Sequence, residues 1–325
     1  MPVQIAPPPN SAASATASFS EMAPRQIPGE DAVQLVDIGE KKTLEARGVG
    51  RGEPVVLIHG SVIADAFAPL VSEPLLADRF QLISYHRRGY ARSTRSDRPL
   101  SMSEQAADCL ALMDALGIDR AHVIGHSLGG LIALQLALDA PKRVHSLVLL
   151  EAAPLEIPSL EQLMAGLAPV VSLYQAGQAA EAIDAFERAV IGPEYHSLLD
   201  VRVPGAFTQA VADADTFFAQ ELPALGQWHL LQGDAVRIGQ PVLVVMGADS
   251  PSMWPGFKEG YDRQLQWLPT AEGFVLPGAT HGLQMQNPLG AAEAIVAFLA
   301  RHPLSRADRT ESPGGSTNSL SAEVC

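Results

Sequence analysis

The chain has 325 residues, 47% of them hydrophobic and 18% charged, enough to bury a substantial core in one large α/β domain with an insertion or in two domains. A formal net charge of −14 leaves no basic footprint, so neither nucleic acid nor an anionic membrane surface is an expected partner. Two cysteines cannot build a disulfide framework, which points to a reducing cytoplasm. No apolar run reaches the roughly 18 residues of a membrane span.

Residues 1–30, rich in Pro, Ala and Ser, lack a basic region followed by an apolar stretch and read as a flexible leader. "VQLVDIG" and "KTLEARG" are short alternating segments expected to form an edge hairpin. "PVVLIHG" (54–60) is a continuous apolar run ending in glycine, the pattern of a strand buried on both faces, and "FQLISYHRRG" repeats it. "SMSEQAADCLALMDALG" (101–117) predicts an amphipathic helix, capped by Ser101 or Ser103 and stopped by Gly117. "AHVIG" predicts a strand, "LGGLIALQLALDA" a helix and "VHSLVLLEAAP" another buried strand.

The pattern then changes. Residues 154–239 contain no comparable strand, and three stretches within them look helical. Alternation resumes with "PVLVVMGADS", a helix around "GFKEGYDRQLQWL", the strand "GFVLPGA" and a last helix "LGAAEAIVAFLAR". Repeated strand–helix alternation predicts a mostly parallel sheet with helices on both faces. The domain expectation is a core of 31–153 and 240–301, a helical cap of 154–239 inserted late in the sheet, and a disordered tail of 302–325.

Sites in such sheets gather at the carboxyl ends of the strands, and four of those ends carry polar residues that packing does not require. "GHSLG" matches G-x-S-x-G between strand and helix, a sharp turn that lifts the Ser127 hydroxyl clear and sets it at a helix amino end. "HGS" (59–61) ends an earlier strand, and the N–H groups of Ser61 and Leu128 are candidate oxyanion donors. A serine needs a base, and the base needs an orienting acceptor. Asp249, just past a buried strand, is the expected acid, with Glu151 at the end of "VHSLVLLE" as its rival. His281, in the Gly-rich loop of "FVLPGATHG", is the expected base.

These motifs resemble the α/β-hydrolase superfamily, in its capped branch with a serine nucleophile. The resemblance rests on "HGS", "YHRRGYARS", "GHSLGG", "GADS" and "GATHG" in that order and spans residues 32–301. It implies an eight-stranded sheet with a helical lid, Ser127 as nucleophile, His281 as base and Asp249 as acid. The chain departs from the pattern at His86, where relatives often carry Asp, and in lacking a bulky aromatic after "HGS". Arg88, Gly89 and Ser93 still match that loop, with Arg88 expected to tie it down.

A serine at the elbow argues against carboxylate-nucleophile branches and for attack on a carbonyl through an acyl-enzyme. The expected activity is hydrolysis of carboxylic esters or related acyl compounds. The alternatives are a carbon–carbon hydrolase of a diketone ring-cleavage product and a non-catalytic ligand-binding protein on the same scaffold. No Cys/His spacing suggests a metal, and no cofactor is expected. Met253 and Trp254 after the acid, with Phe217, Trp228, Phe207, Phe218 and Met164 of the helical block, are candidates to line a pocket for a mainly apolar small molecule.

Overall fold

The computed structural model describes residues 33–152 and 156–304, so the leader and nearly all of the expected tail lie outside the described residues. Among the described residues no helix is long and apolar enough to cross a membrane. The sheet has eight strands: β1 (Val33–Asp37), β2 (Thr43–Val49), β3 (Glu53–Ile58), β4 (Phe80–Tyr85), β5 (Ala121–His126), β6 (Val144–Leu150), β7 (Val242–Gly247) and β8 (Ala271–Leu276). Their spatial order is β1-β2-β4-β3-β5-β6-β7-β8. β1 and β2 form the expected edge hairpin, and β2 also runs antiparallel to β4. From β4 to β8 every pairing is parallel. Parallel strands buried on both faces explain why β3 after Glu53 and β7 read as unbroken apolar runs and why β6 ends in the apolar run Leu147–Leu150.

Helix α1 (Met102–Ala115) is capped by Ser101, whose hydroxyl accepts from the Glu104 N–H while Glu104 returns the bond to the Ser101 N–H. This reciprocal pair satisfies two first-turn donors and selects Ser101 over Ser103. Helix α2 (Leu128–Asp139) packs beside α1 on one face of the sheet, in a cluster with Val56, Ile83, Val123 and Leu147. The opposite face is covered by a C-terminal helix, Pro288–Arg301, whose Ile295, Phe298 and Leu299 pack against Val55, Ile124 and Val148. Leu304 is also buried and donates its N–H to Glu53, so ordered chain continues past Arg301.

Between β6 and β7 the chain forms α3 (Leu160–Gln175), α4 (Ala179–Val190), α5 (Tyr195–Arg202) and α6 (Ala206–Ala212). A π-helical turn, Thr216–Glu221, and shorter helical segments follow. The stretch "PGAFTQAVADADTFFAQELPAL" is thus broken into short pieces rather than forming one helix, and α5 has no counterpart among the sequence expectations. This block has its own apolar cluster, built from Ala182, Ile183, Leu199 and Phe217, which reaches down to Val62 and Ile63 after β3 and to Met285. Those contacts seat it against the loop after β3 and the segment that follows β8. Beyond β7, Gly256–Trp267 forms a helix against β7 and β8.

Candidate active site

Ser127 is the joint between β5 and α2, with φ 53° and ψ −121°. A non-glycine residue there costs about 1–3 kcal/mol and persists only if its surroundings impose it. They do: the Ser127 N–H donates to Leu150 O at 3.0 Å, and both flanking glycines are sterically required. A Cβ on Gly125 would lie 2.4 Å from Gly129 O, and one on Gly129 would lie 2.1 Å from Ile58 O. Leu128 begins α2, so its N–H is one of the first-turn donors with no partner inside the helix.

His281 lies in the loop after β8 and is 8% exposed. Its Nε2 is 3.0 Å from Ser127 Oγ, and its Nδ1 is 2.7 Å from Glu151 Oε2. With Nδ1–H donating to the carboxylate, Nε2 presents a lone pair to the serine hydroxyl. Glu151 follows β6 at φ 43°, and its N–H donates to Val245 O at 2.9 Å. Its Oε1 accepts the Gly247 N–H at 2.7 Å. The acid is therefore anchored across the ends of β6 and β7, with one oxygen on the sheet and the other on the imidazole.

The placement of the acid corrects the sequence expectation. Asp249 is exposed, and its backbone N–H donates to Ala279 O. It lies two residues beyond β7, at the start of the short helix Ser250–Met253, while the His281 Nδ1 is bonded to Glu151 instead. Its sequence position resembles that of Glu151, but Asp249 is exposed while the Glu151 side chain is 1% exposed. The structure thus brings together Ser127, His281 and Glu151, and leaves Asp249 outside.

Phe257 stacks on the His281 ring with centroids 4.6 Å apart. His126 also packs on that ring, with centroids 4.8 Å apart, and donates Nε2–H to the His281 carbonyl at 2.8 Å. Burial, then the neighbouring His281, pushes the His126 pKa down to about 3, so this ring is neutral. The approach of the "HGS" loop is close: a Cβ on Gly60 would be 2.9 Å from His126 Nδ1 and 3.0 Å from the Ser127 Cβ. Ser61, Ser127 and Leu128 all line one cavity.

The loop carrying Ser61 is held by residues that sequence reasoning missed. Arg87, 2% exposed, donates its backbone N–H to His59 Nε2, Nε–H to His59 O and an Nη2 proton to Gly60 O. Its Nη1 lies 2.5 Å from Glu221 Oε1 in the π-helical turn. The Tyr90 hydroxyl accepts the Val62 N–H at 3.2 Å and donates to Glu221 Oε2 at 2.8 Å. Arg88, expected to do this work, instead pairs with Asp108 on α1. His86 sits between Asp65 and Glu45, at 2.9 and 3.2 Å. Its burial opposes charge, but the two carboxylates win and raise its pKa.

The cavity encloses about 860 Å³ of atom-free space, part of it continuous with solvent. Of the expected pocket residues, Phe217 and Trp254 line it. Met253 and Trp228 do not: Trp228 donates its indole N–H to Gln135 on α2 and packs with the core, and Met253 ends the short helix Ser250–Met253 outside the lining. Phe218 stacks on Tyr174, Phe207 packs on His196, and Met164 is largely exposed. Leu163, Leu167, Phe186 and Glu187 of the helical block complete the wall.

A family model described as alpha/beta hydrolase fold matches residues 53–288. A protein named as a carbamate hydrolase, RutD of Azorhizobium caulinodans, is 42% identical over 100 residues, which cover 31% of this chain and 37% of that relative. The chain thus matches well under half the length of that relative. The dihydrolipoyllysine-residue acetyltransferase component of the acetoin cleaving system of Pseudomonas putida is 29% identical over 281 residues, 83% of this chain and 70% of that one. Among solved structures, a thermophilic esterase of Thermogutta terrifontis superposes with a TM-score of 0.70 at 19% identity, covering 84% of this chain and 100% of that chain.

Proposed function

The chain belongs to the alpha/beta hydrolase fold family, and on that premise we propose that it is a serine hydrolase of carboxylic esters and related acyl compounds. The observation that carries this reading is the unbroken chain of contacts from Ser127 Oγ through His281 to Glu151, at 3.0 and 2.7 Å. A serine hydroxyl is a weak nucleophile until a base takes its proton as it attacks. His281 Nε2 is within reach to do so, and Glu151 holds the tautomer and stabilises the imidazolium that forms.

In the mechanism we propose, Ser127 Oγ attacks the substrate carbonyl and the N–H groups of Leu128 and Ser61 receive the developing oxyanion. Each such donor is worth about 3 kcal/mol in the transition state. His281 returns the proton to the leaving alcohol, which departs and leaves an acyl-serine. Water, deprotonated by His281, then releases the acid and restores the serine. The helical block acts as a cap in this reading, with Leu163, Leu167 and Phe186 lining the cavity over Ser127 and narrowing its access to water. The mostly apolar lining supports a mainly apolar small-molecule substrate. A reducing cytoplasm is part of the reading, because it would keep the buried thiol of Cys109 free.

Ser127→Ala tests the proposal. The variant is expected to keep the wild-type circular dichroism spectrum and melting profile, to lose p-nitrophenyl ester turnover, and to lose labelling by a fluorophosphonate. Full turnover by the variant refutes the assignment. Folded wild-type protein that neither labels nor turns over any ester would favour a ligand-binding role.

A further inference from the structure

Glu187 lies on α4, within the wall of the cavity that holds Ser127 and His281. It is 3% exposed, and its carboxyl makes no hydrogen bond or ion pair among the described residues. Its companions on that wall, Ile63, Leu163, Leu167 and Phe217, are apolar. The other charged residues of α4 behave differently: Glu181 and Arg188 are exposed, and Asp184 is paired with Arg188. The nearby Tyr195 hydroxyl is already committed to Asp184, at 2.7 Å. One helical turn past Glu187, Ile191 packs over Gly282, the neighbour of His281, where a Cβ would come within 3.2 Å of it. Glu187 and Ile191 thus line the same cavity as Ser127 and His281, with Ile191 against the neighbour of His281.

Buried polar groups are nearly always partnered, and an unpartnered one facing a cavity needs a reason. A leucine here would complete an apolar wall. Resting on the hydrolase reading, we propose that Glu187 is a specificity-determining residue that binds an uncharged hydroxyl on an otherwise apolar acyl substrate. Burial pushes its pKa up to about 8, so at neutral pH it is a carboxylic acid with one donor and free acceptor capacity. A hydroxyl satisfies both sides of that group without moving a proton. An ammonium group would instead form an ion pair among apolar walls, with no further donors to offset the loss of water.

The test compares kcat/KM, by pH-stat at neutral pH, for two matched pairs. These are methyl 6-hydroxyhexanoate with methyl hexanoate, and 6-hydroxyhexyl acetate with hexyl acetate, so that the hydroxyl is offered from either half of the ester. The wild type is expected to favour the hydroxylated member of one pair. Glu187→Gln, which keeps a donor and an acceptor, should hold that ratio within about threefold, and Glu187→Leu should lower it at least about tenfold. A wild type indifferent to the hydroxyl in both pairs, or a ratio untouched by Glu187→Leu while turnover stays dependent on Ser127, overturns the proposal and leaves the hydrolase reading standing. Preference for a 6-aminohexyl analogue that Glu187→Gln abolishes would overturn the choice of an uncharged group. Turnover that survives Ser127→Ala would sink the hydrolase reading and this inference with it.

Discussion

Glu151→Gln should abolish the proposed activity by a route that the hydrogen bonds specify. Glu151 Oε1 accepts the Gly247 N–H at 2.7 Å, so a glutamine must keep its carbonyl oxygen there. Its NH₂ group then occupies the place of Oε2, 2.7 Å from His281 Nδ1. Two donors cannot face each other, so the imidazole must accept at Nδ1 and carry its proton on Nε2. That turns the base into a donor toward Ser127 Oγ. The corresponding acid-to-amide change in a serine protease triad lowers kcat by about 10⁴ through the same wrong tautomer, roughly 5.5 kcal/mol of barrier. A loss of about 10³–10⁴ is expected here, read as initial rates on a p-nitrophenyl ester with active sites counted by the acyl burst. Asp249→Asn is expected to stay within about twofold of wild type, because its carboxylate faces solvent. Near-normal turnover in Glu151→Gln, with Asp249→Asn crippled, would refute the argument.

Tyr90→Phe removes the hydroxyl that accepts the Val62 N–H and leaves both that donor and Glu221 Oε2 short of a buried partner. The expected cost is about 1–3 kcal/mol in urea unfolding, with kcat falling more than KM rises because Val62 adjoins Ser61. A variant with wild-type stability and kcat would show that the hydroxyl does not hold this loop. Glu187 predicts a pH dependence of stability. Its pKa is about 8 in the folded protein against an ordinary 4.5, so between those values the unfolded state has lost a proton that the folded state retains. Stability then falls as pH rises across that window, by up to about 5 kcal/mol if the whole shift is expressed. Glu187→Gln should therefore gain on the wild type from pH 5 to pH 8 in denaturant melts, and a difference independent of pH would contradict it.

The interior strands were legible because they are buried on both faces and left mainly apolar runs in the sequence, unbroken in β7 and interrupted by a few buried or half-buried polar residues in β5 and β6. The elbow was legible because its glycines answer to contacts that no side chain can meet. The acid was not, since Glu151 and Asp249 both end buried strands and differ only in where their side chains go. What separates them is a tertiary fact: β6 and β7 are neighbours, so a carboxylate leaving β6 reaches Gly247 N–H and His281 together. Arg87, Tyr90 and Glu221 escaped for a similar reason. The Tyr90–Glu221 bond spans 131 positions, and "RRGYARS" alone gives no sign that its first arginine, rather than its second, turns inward. The helical block was the least legible, because its π-helical turn and the helix α5 follow no clear apolar period.

Backbone strain shows how the proposed machinery is divided between sheet and cap. Val62, Ala91, Ser127 and Glu151 all have positive φ without being glycine. Each has its N–H fixed by a bond, but the acceptors differ in kind. Ser127 donates to Leu150 O and Glu151 to Val245 O, so nucleophile and acid are set by neighbouring strands of the parallel sheet. Val62 donates to Tyr90, whose hydroxyl is in turn bound by Glu221, and Ala91 donates to Asp213 Oδ2. Glu221 and Asp213 both belong to the helical block. Formation of the sheet is therefore enough to align Ser127 with Glu151. The loop carrying the Ser61 N–H is held from the core by Arg87 and gains a second tie through Tyr90 when the block is seated, so on the proposed mechanism seating the block would tighten the oxyanion donors.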